Sequence, residues 1–203
     1  MKKLLPALVA SFAACALTLS LAACDKLPGK QTASFQNTDV TGLDYAKGFS
    51  LTDHTGKPRT LADYKGKVVI VFFGYTQCPD VCPTTMAEMA GVMQKLGPQA
   101  DQVQVLFITL DPERDTQQLL ASYVPAFDKR FVGLYGTPEQ TAKTAKDFKV
   151  FYKKVEGKTP DSYTMDHSAA SYVYDPKGRL RLYTRYGSGA QALADDLKIL
   201  LKE

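Results

Sequence analysis

The period of the hydrophobic pattern changes several times along this chain, and each change marks an element. Phe49-Ser50-Leu51-Thr52-Asp53 alternates with a period of two, as a half-buried strand does, and the polar run His54-Thr55-Gly56-Lys57 turns it into a hairpin. Val68-Val69-Ile70-Val71-Phe72-Phe73-Gly74-Tyr75 is apolar almost without a break, as expected of a central strand covered on both faces. Helical spacing then takes over: Met86, Met89, Ala90, Met93 and Leu96 fall on one face until Gly97-Pro98 stops the helix. Residues 103–110 read as a second buried strand, 116–127 as a helix and 131–135 as a short strand. Thr137-Pro138-Glu139 opens a further helix, with a cap residue and a first-turn proline, that runs to about Phe148. Strands at 171–174 and 180–186 flank the turn Asp175-Pro176-Lys177-Gly178, and an amphipathic helix over 189–202 closes the chain. The order β-β-α-β-α-β-α-β-β-α predicts an α/β fold, one mixed sheet between helices with an N-terminal β-hairpin.

The first residues obey a different rule. Met1-Lys2-Lys3 is a short positive segment, and residues 4–21 are apolar apart from Pro6, Ser11, Thr18 and Ser20. This reads as an export signal rather than a membrane span, which needs about 20 apolar residues and no early proline. Leu21-Ala22-Ala23-Cys24 resembles the lipobox of bacterial lipoproteins. The resemblance implies cleavage after Ala23, acylation of Cys24, and an exported lipoprotein on the outer face of the cytoplasmic membrane, facing the periplasm; Asp25 tends to keep such proteins on the inner membrane. Residues 24–46 are polar and aperiodic and read as a tether, leaving 47–203 as the domain. The leader carries two lysines and no acids, so 25 basic residues fall to 23 against 21 acidic, a net +2. That balance gives no reason to expect nucleic acid as a partner, and nothing in the sequence demands more than a monomer.

Cysteine usage is more telling. With Cys15 in the leader and Cys24 acylated, the domain keeps only Cys78 and Cys82, in Gln77-Cys78-Pro79-Asp80-Val81-Cys82-Pro83. One close pair is not a disulfide scaffold. Proline costs roughly 3 kcal/mol inside a helix and little at its first position, so regular helix is expected to begin at Pro83, with the thiols folded over its positive end. A dithiol at the junction of a central strand and the next helix suits a thioredoxin-like architecture. There it can exchange disulfides, hold a soft metal, or form a structural bridge; a loop this short constrains the unfolded chain little, which disfavours the last. His54 sits in a polar turn and reads as solvated. Met86, Met89 and Met93 have the spacing of a core stripe rather than of a metal site.

Phe73-Gly74-Tyr75-Thr76-Gln77-Cys78-Pro79-Asp80-Val81-Cys82-Pro83 resembles the signature of Sco/SenC copper proteins, and Asp111-Pro112-Glu113-Arg114-Asp115-Thr116 and Asp166-His167-Ser168 match that family's second and third motifs in order. The resemblance implies copper, Cu(I) or Cu(II), bound by Cys78, Cys82 and His167. It also implies a role in assembling the dinuclear copper centre of cytochrome c oxidase. Partners would then be the copper-centre subunit of that oxidase or another copper chaperone. Oxidation would close a Cys78–Cys82 disulfide and abolish binding. The chemistry of the residues agrees, since thiolates suit Cu(I) and imidazole suits both oxidation states, whereas structural zinc wants four ligands. A thiol–disulfide reductase acting on the target's own cysteines is the alternative, with Cys78 and Cys82 as its redox pair and no need of His167. Asp166 is a candidate to orient the histidine ring or to add a weak ligand. Asp111, Arg114 and Asp115 read as an ion-pair cluster that lines the metal loop, docks a partner, or caps a helix with a surface salt bridge, and Tyr75 as a neighbour of the sulfurs.

Overall fold

The computed structural model describes residues 34–159 and 162–203. The expected signal peptide, Cys24 and the first part of the tether lie outside the described residues.

The central strand β4 (Val68–Gly74) is buried along its whole length and alternates between two apolar layers. Val68, Ile70 and Phe72 face one layer with Met86, Met89 and Met93, so the methionine stripe is core packing; Val69, Val71 and Phe73 face the other with Phe148 and Tyr172. Helix α1 (Val81–Leu96) follows β4 directly, then β5 (Val103–Thr109), α2 (Gln117–Tyr123), β6 (Val132–Tyr135) and α3 (Pro138–Asp147). Before them stand β1 (Thr38–Asp39) and the hairpin β2 (Ser50–Asp53) and β3 (Pro58–Thr60). After them come β7 (Tyr152–Val155), β8 (Thr164–His167), β9 (Ser171–Tyr174), β10 (Leu180–Thr184) and α4 (Ala190–Leu200). Eight strands form one sheet in the order β1-β10-β9-β4-β5-β6-β2-β3, with β4, β5 and β6 mutually parallel and the rest antiparallel. This is the mixed, helix-flanked, thioredoxin-like α/β fold with an N-terminal hairpin that the sequence predicts. No helix among the described residues is long and apolar enough to cross a membrane.

Two tight turns share one device. Asp53 Oδ1 accepts from the Thr55 amide at 2.8 Å and the Lys57 amide at 3.0 Å, while Oδ2 accepts from Arg59 Nε at 2.7 Å. Asp175 repeats this at the β9–β10 turn with the Lys177 and Arg179 amides, both at 3.0 Å, and Arg179 Nε at 2.7 Å. A buried carboxylate thus satisfies the turn amides that the strands leave unpaired.

The structure corrects three expectations and adds one element. The latter part of the tether is docked: Gln36 and Asn37 donate their amides to the buried Asp196 carboxylate at 2.8 and 2.9 Å, β1 pairs with β10, and Val40 and Ala46 are buried. Helix α1 begins at Val81, not Pro83. The proline falls in the first turn, where its missing N–H has no intrahelical partner to lose. His54 is half-buried, and its Nδ1 accepts the Gly133 amide at 2.9 Å, fastening the β2–β3 turn to β6. A side-chain Cβ at residue 133 would lie 3.0 Å from Val124 Cγ2 and 3.2 Å from Leu120 Cβ, so glycine there lets α2 lie close. Finally, β7 and β8 form a separate two-stranded sheet that the hydrophobic pattern does not announce.

Candidate metal centre

The chain leaves β4 at Gly74 and crosses to α1 through Tyr75-Thr76-Gln77-Cys78-Pro79-Asp80. Cys78, on this loop, is half-buried and its amide donates to the Tyr75 carbonyl at 3.3 Å. Cys82 lies in the first turn of α1 and is fully buried. Its amide, one of the donors a helix start leaves unpaired, points at Cys78 Sγ at 3.3 Å. Burial pushes the Cys82 thiol well above the ordinary thiol range. Desolvation therefore overrides the helix end that the sequence argument invokes, and the free thiol stays protonated at neutral pH. The two thiols are unbonded to one another. Gly74 makes the room, since a Cβ there would sit 2.9 Å from both Cys82 Sγ and Phe107 Cε2.

His167 arrives from the end of β8. Its Nδ1 lies 3.0 Å from the Ser168 carbonyl, which can only accept, so Nδ1 carries the proton and Nε2 presents a lone pair. Nε2 faces Cys82 Sγ at 3.5 Å. The rings of Phe72 and Tyr75 stand edge-on to the imidazole at 6.4 and 6.1 Å, and burial holds it below the ordinary histidine range, in the neutral form. The donor atoms of Cys78, Cys82 and His167 all lie within 4.8 Å of one another, the one such cluster among the described residues. Cys78 and His167 border a cleft of about 290 Å³, which Tyr75, Pro79, Val81 and Met165 also line, while Cys82 is buried behind it. Two sulfurs and one nitrogen form a soft set that suits Cu(I) and leaves a side open to exchange.

Residues 38–202 match the family model SCO1/SenC. The chain belongs to the SCO1/SenC family. The mitochondrial SCO2 homolog of Mus musculus is 38% identical over 152 residues, 74% of this chain and 60% of that protein. The chain thus spans about three fifths of the length of this relative. The SCO2-like protein of Rickettsia felis is 32% identical over 174 residues, 85% of each chain. Among solved structures, Bradyrhizobium japonicum ScoI with copper bound superposes with a TM-score of 0.70 at 42% identity, over 76% of this chain and 98% of that one.

Of the residues singled out in the sequence, Cys78, Cys82 and His167 converge and Tyr75 flanks them; Asp80, between the cysteines, is exposed. Asp166 is exposed and does not orient the ring; the Ser168 carbonyl does. Asp111, Arg114 and Asp115 of the second family motif lie inward beside the metal loop and form no surface salt bridge. Asp115 is buried and takes the Thr76 amide at 3.0 Å and hydroxyl at 2.5 Å, and the Thr109 hydroxyl at 2.6 Å, which pins the start of the cysteine loop to the end of β5. Asp111 is buried and pairs with Arg114. Gln77 and Tyr163, which the sequence reading passed over, meet at Arg114. Tyr163 could have been suspected only as an isolated aromatic in a polar stretch.

Proposed function

We propose that this SCO1/SenC protein carries copper as cargo, held by Cys78, Cys82 and His167, and delivers it by ligand exchange to thiols of the dinuclear copper centre of cytochrome c oxidase. The convergence of the three donor atoms within 4.8 Å is the observation that supports this reading. The copper bound in ScoI, at 42% identity, supports the choice of ion. Cu(I) entering the site displaces the thiol protons of Cys78 and Cys82 to solvent, while His167 is already neutral and gives up none. A diacylglyceryl group on Cys24 would hold the domain as a monomer at the outer face of the cytoplasmic membrane, beside the oxidase's copper-centre subunit or another copper chaperone. Two-electron oxidation of the Cys78 and Cys82 thiols by a disulfide on another protein, their protons passing to the thiols so formed, would close the Cys78–Cys82 bond and remove two ligands.

Anaerobic Cu(I) titration against a chromophoric chelator tests the proposal. The reduced parent should bind one Cu(I) per chain. His167→Ala should weaken binding by more than the roughly 10- to 100-fold that loss of an outer hydrogen-bond partner costs a metal site. Unchanged affinity in that variant overturns the carrier reading in favour of the thiol–disulfide reductase, which needs only the two sulfurs.

A further inference from the structure

Arg114 stands at the seam between the two loops that supply the ligands. Its Nε donates to Asp111 Oδ2 at 2.5 Å. Its Nη1 donates to the Tyr163 carbonyl at 2.9 Å and to Gln77 Oε1 at 3.1 Å. The guanidinium carbon lies over the Tyr163 ring, 3.4 Å from the centroid, and the Tyr163 hydroxyl returns to Asp111 Oδ1 at 2.7 Å. The circuit is closed. One end is Gln77, the residue before Cys78; the other is Tyr163, the residue before β8, which ends at His167.

The β7–β8 hairpin has little else to fix it. A two-stranded hairpin is marginal by itself. Its other charged link, Lys154 to Glu113 at 3.7 Å, joins two exposed side chains of the kind worth little. Met165 and Tyr152 pack against the two core layers, but apolar contact does not specify a distance. The arginine fork does, because three of its bonds and its stacking require one plane and one position.

We propose that Asp111, Arg114 and Tyr163 form a latch that seats the histidine hairpin on the cysteine loop before metal arrives, with Arg114 as a positioning residue that sets how tightly the ion is held. This rests on the carrier reading. Seating the third ligand in advance removes an ordering cost from each binding event. Breaking the latch weakens binding by letting His167 wander while both sulfurs stay in place.

The test compares the full chain with Arg114→Lys and Tyr163→Phe, metal-free and with Cu(I). Lysine keeps the charge but cannot bridge Asp111, Gln77 and the Tyr163 carbonyl together. Amide exchange in the metal-free Arg114→Lys variant should quicken roughly tenfold across β8 while β4 and β9 keep parental protection. Cu(I) affinity should fall about tenfold. Tyr163→Phe, which loses only the hydroxyl, should move both readouts the same way and less, and the double variant should be milder than the product of the two. Parental exchange in β8 of Arg114→Lys overturns the latch, and a loosened β8 with unchanged affinity overturns its effect on the metal. Should Arg114→Lys fail to fold, Tyr163→Phe decides on the same two measurements. A parent that binds no Cu(I) refutes the carrier reading, and the metal-free exchange still judges the latch.

Discussion

The two halves of the candidate metal centre are built to different standards. The cysteine loop grows out of β4, which lies between β5 and β9 with every residue buried. The histidine comes from β7–β8, a separate pair of strands in which no residue is fully buried. One half shares the stability of the whole domain, and the other borrows it through the partly buried Met165 and Tyr152 and a few polar contacts. The sulfurs can therefore be placed by the fold itself, whereas the imidazole must be placed by side chains.

This contrast can be broken from the rigid side first. Phe107→Ala, beneath the cysteine loop and fully buried, should destabilise the domain by about 3–5 kcal/mol in urea unfolding. Val155→Ala, on the exposed face of the hairpin, should stay within about 0.5 kcal/mol. Comparable losses from the two would show that the halves are equally built. Next in size is Gly74→Ala. Its Cβ would lie 2.9 Å from Cys82 Sγ and from Phe107 Cε2, so overpacking of about 1–3 kcal/mol is expected, together with weaker Cu(I) binding as the sulfur is displaced. Parental stability in this variant would mean that the cysteine side yields as easily as the hairpin.

The smallest effect is a pH dependence rooted in the main sheet. Burial raises the Asp53 carboxyl, but hydrogen bonds from Thr55 and Arg59 outweigh it and hold the group well below the ordinary carboxylate range. Asp175 is likewise raised by burial and held low on balance by Arg179 and Arg181. A carboxylate depressed in the folded state stabilises above its unfolded pKa, about 3.9, and loses that contribution as pH falls through the folded value. The melting temperature should therefore decline below about pH 4, and Asp53→Asn should flatten that decline. An acid limb of unchanged slope would remove Asp53 from the account.

What could be read in the sequence follows the same division. The cysteine loop announces itself because its signals are contiguous: an unbroken apolar run, two thiols, a proline and a helical stripe. Both faces of β4 and the Asp175 turn are legible for the same reason, since burial and turn chemistry are written in neighbouring residues. The hairpin is not, because Tyr152-Lys153-Lys154-Val155 and Thr164-Met165-Asp166-His167 bury too little to leave an apolar rhythm. His167 was reached through a family motif, not through its strand. The docked segment before Phe49 escaped notice because backbone amides hold it to Asp196 and to β10, and amides are the same in every residue. His54 looks solvated from its neighbours alone because its partner, the Gly133 amide, lies 79 residues away.

The unequal burial of the sulfurs gives the centre a front and a back. Cys78 borders the open cleft, and Cys82 lies sealed behind it against Gly74 and Phe107. In the transfer proposed above, an incoming thiol would meet Cys78 first, so exchange would start at that doorway, and the inner sulfur would keep its grip until the visitor had engaged.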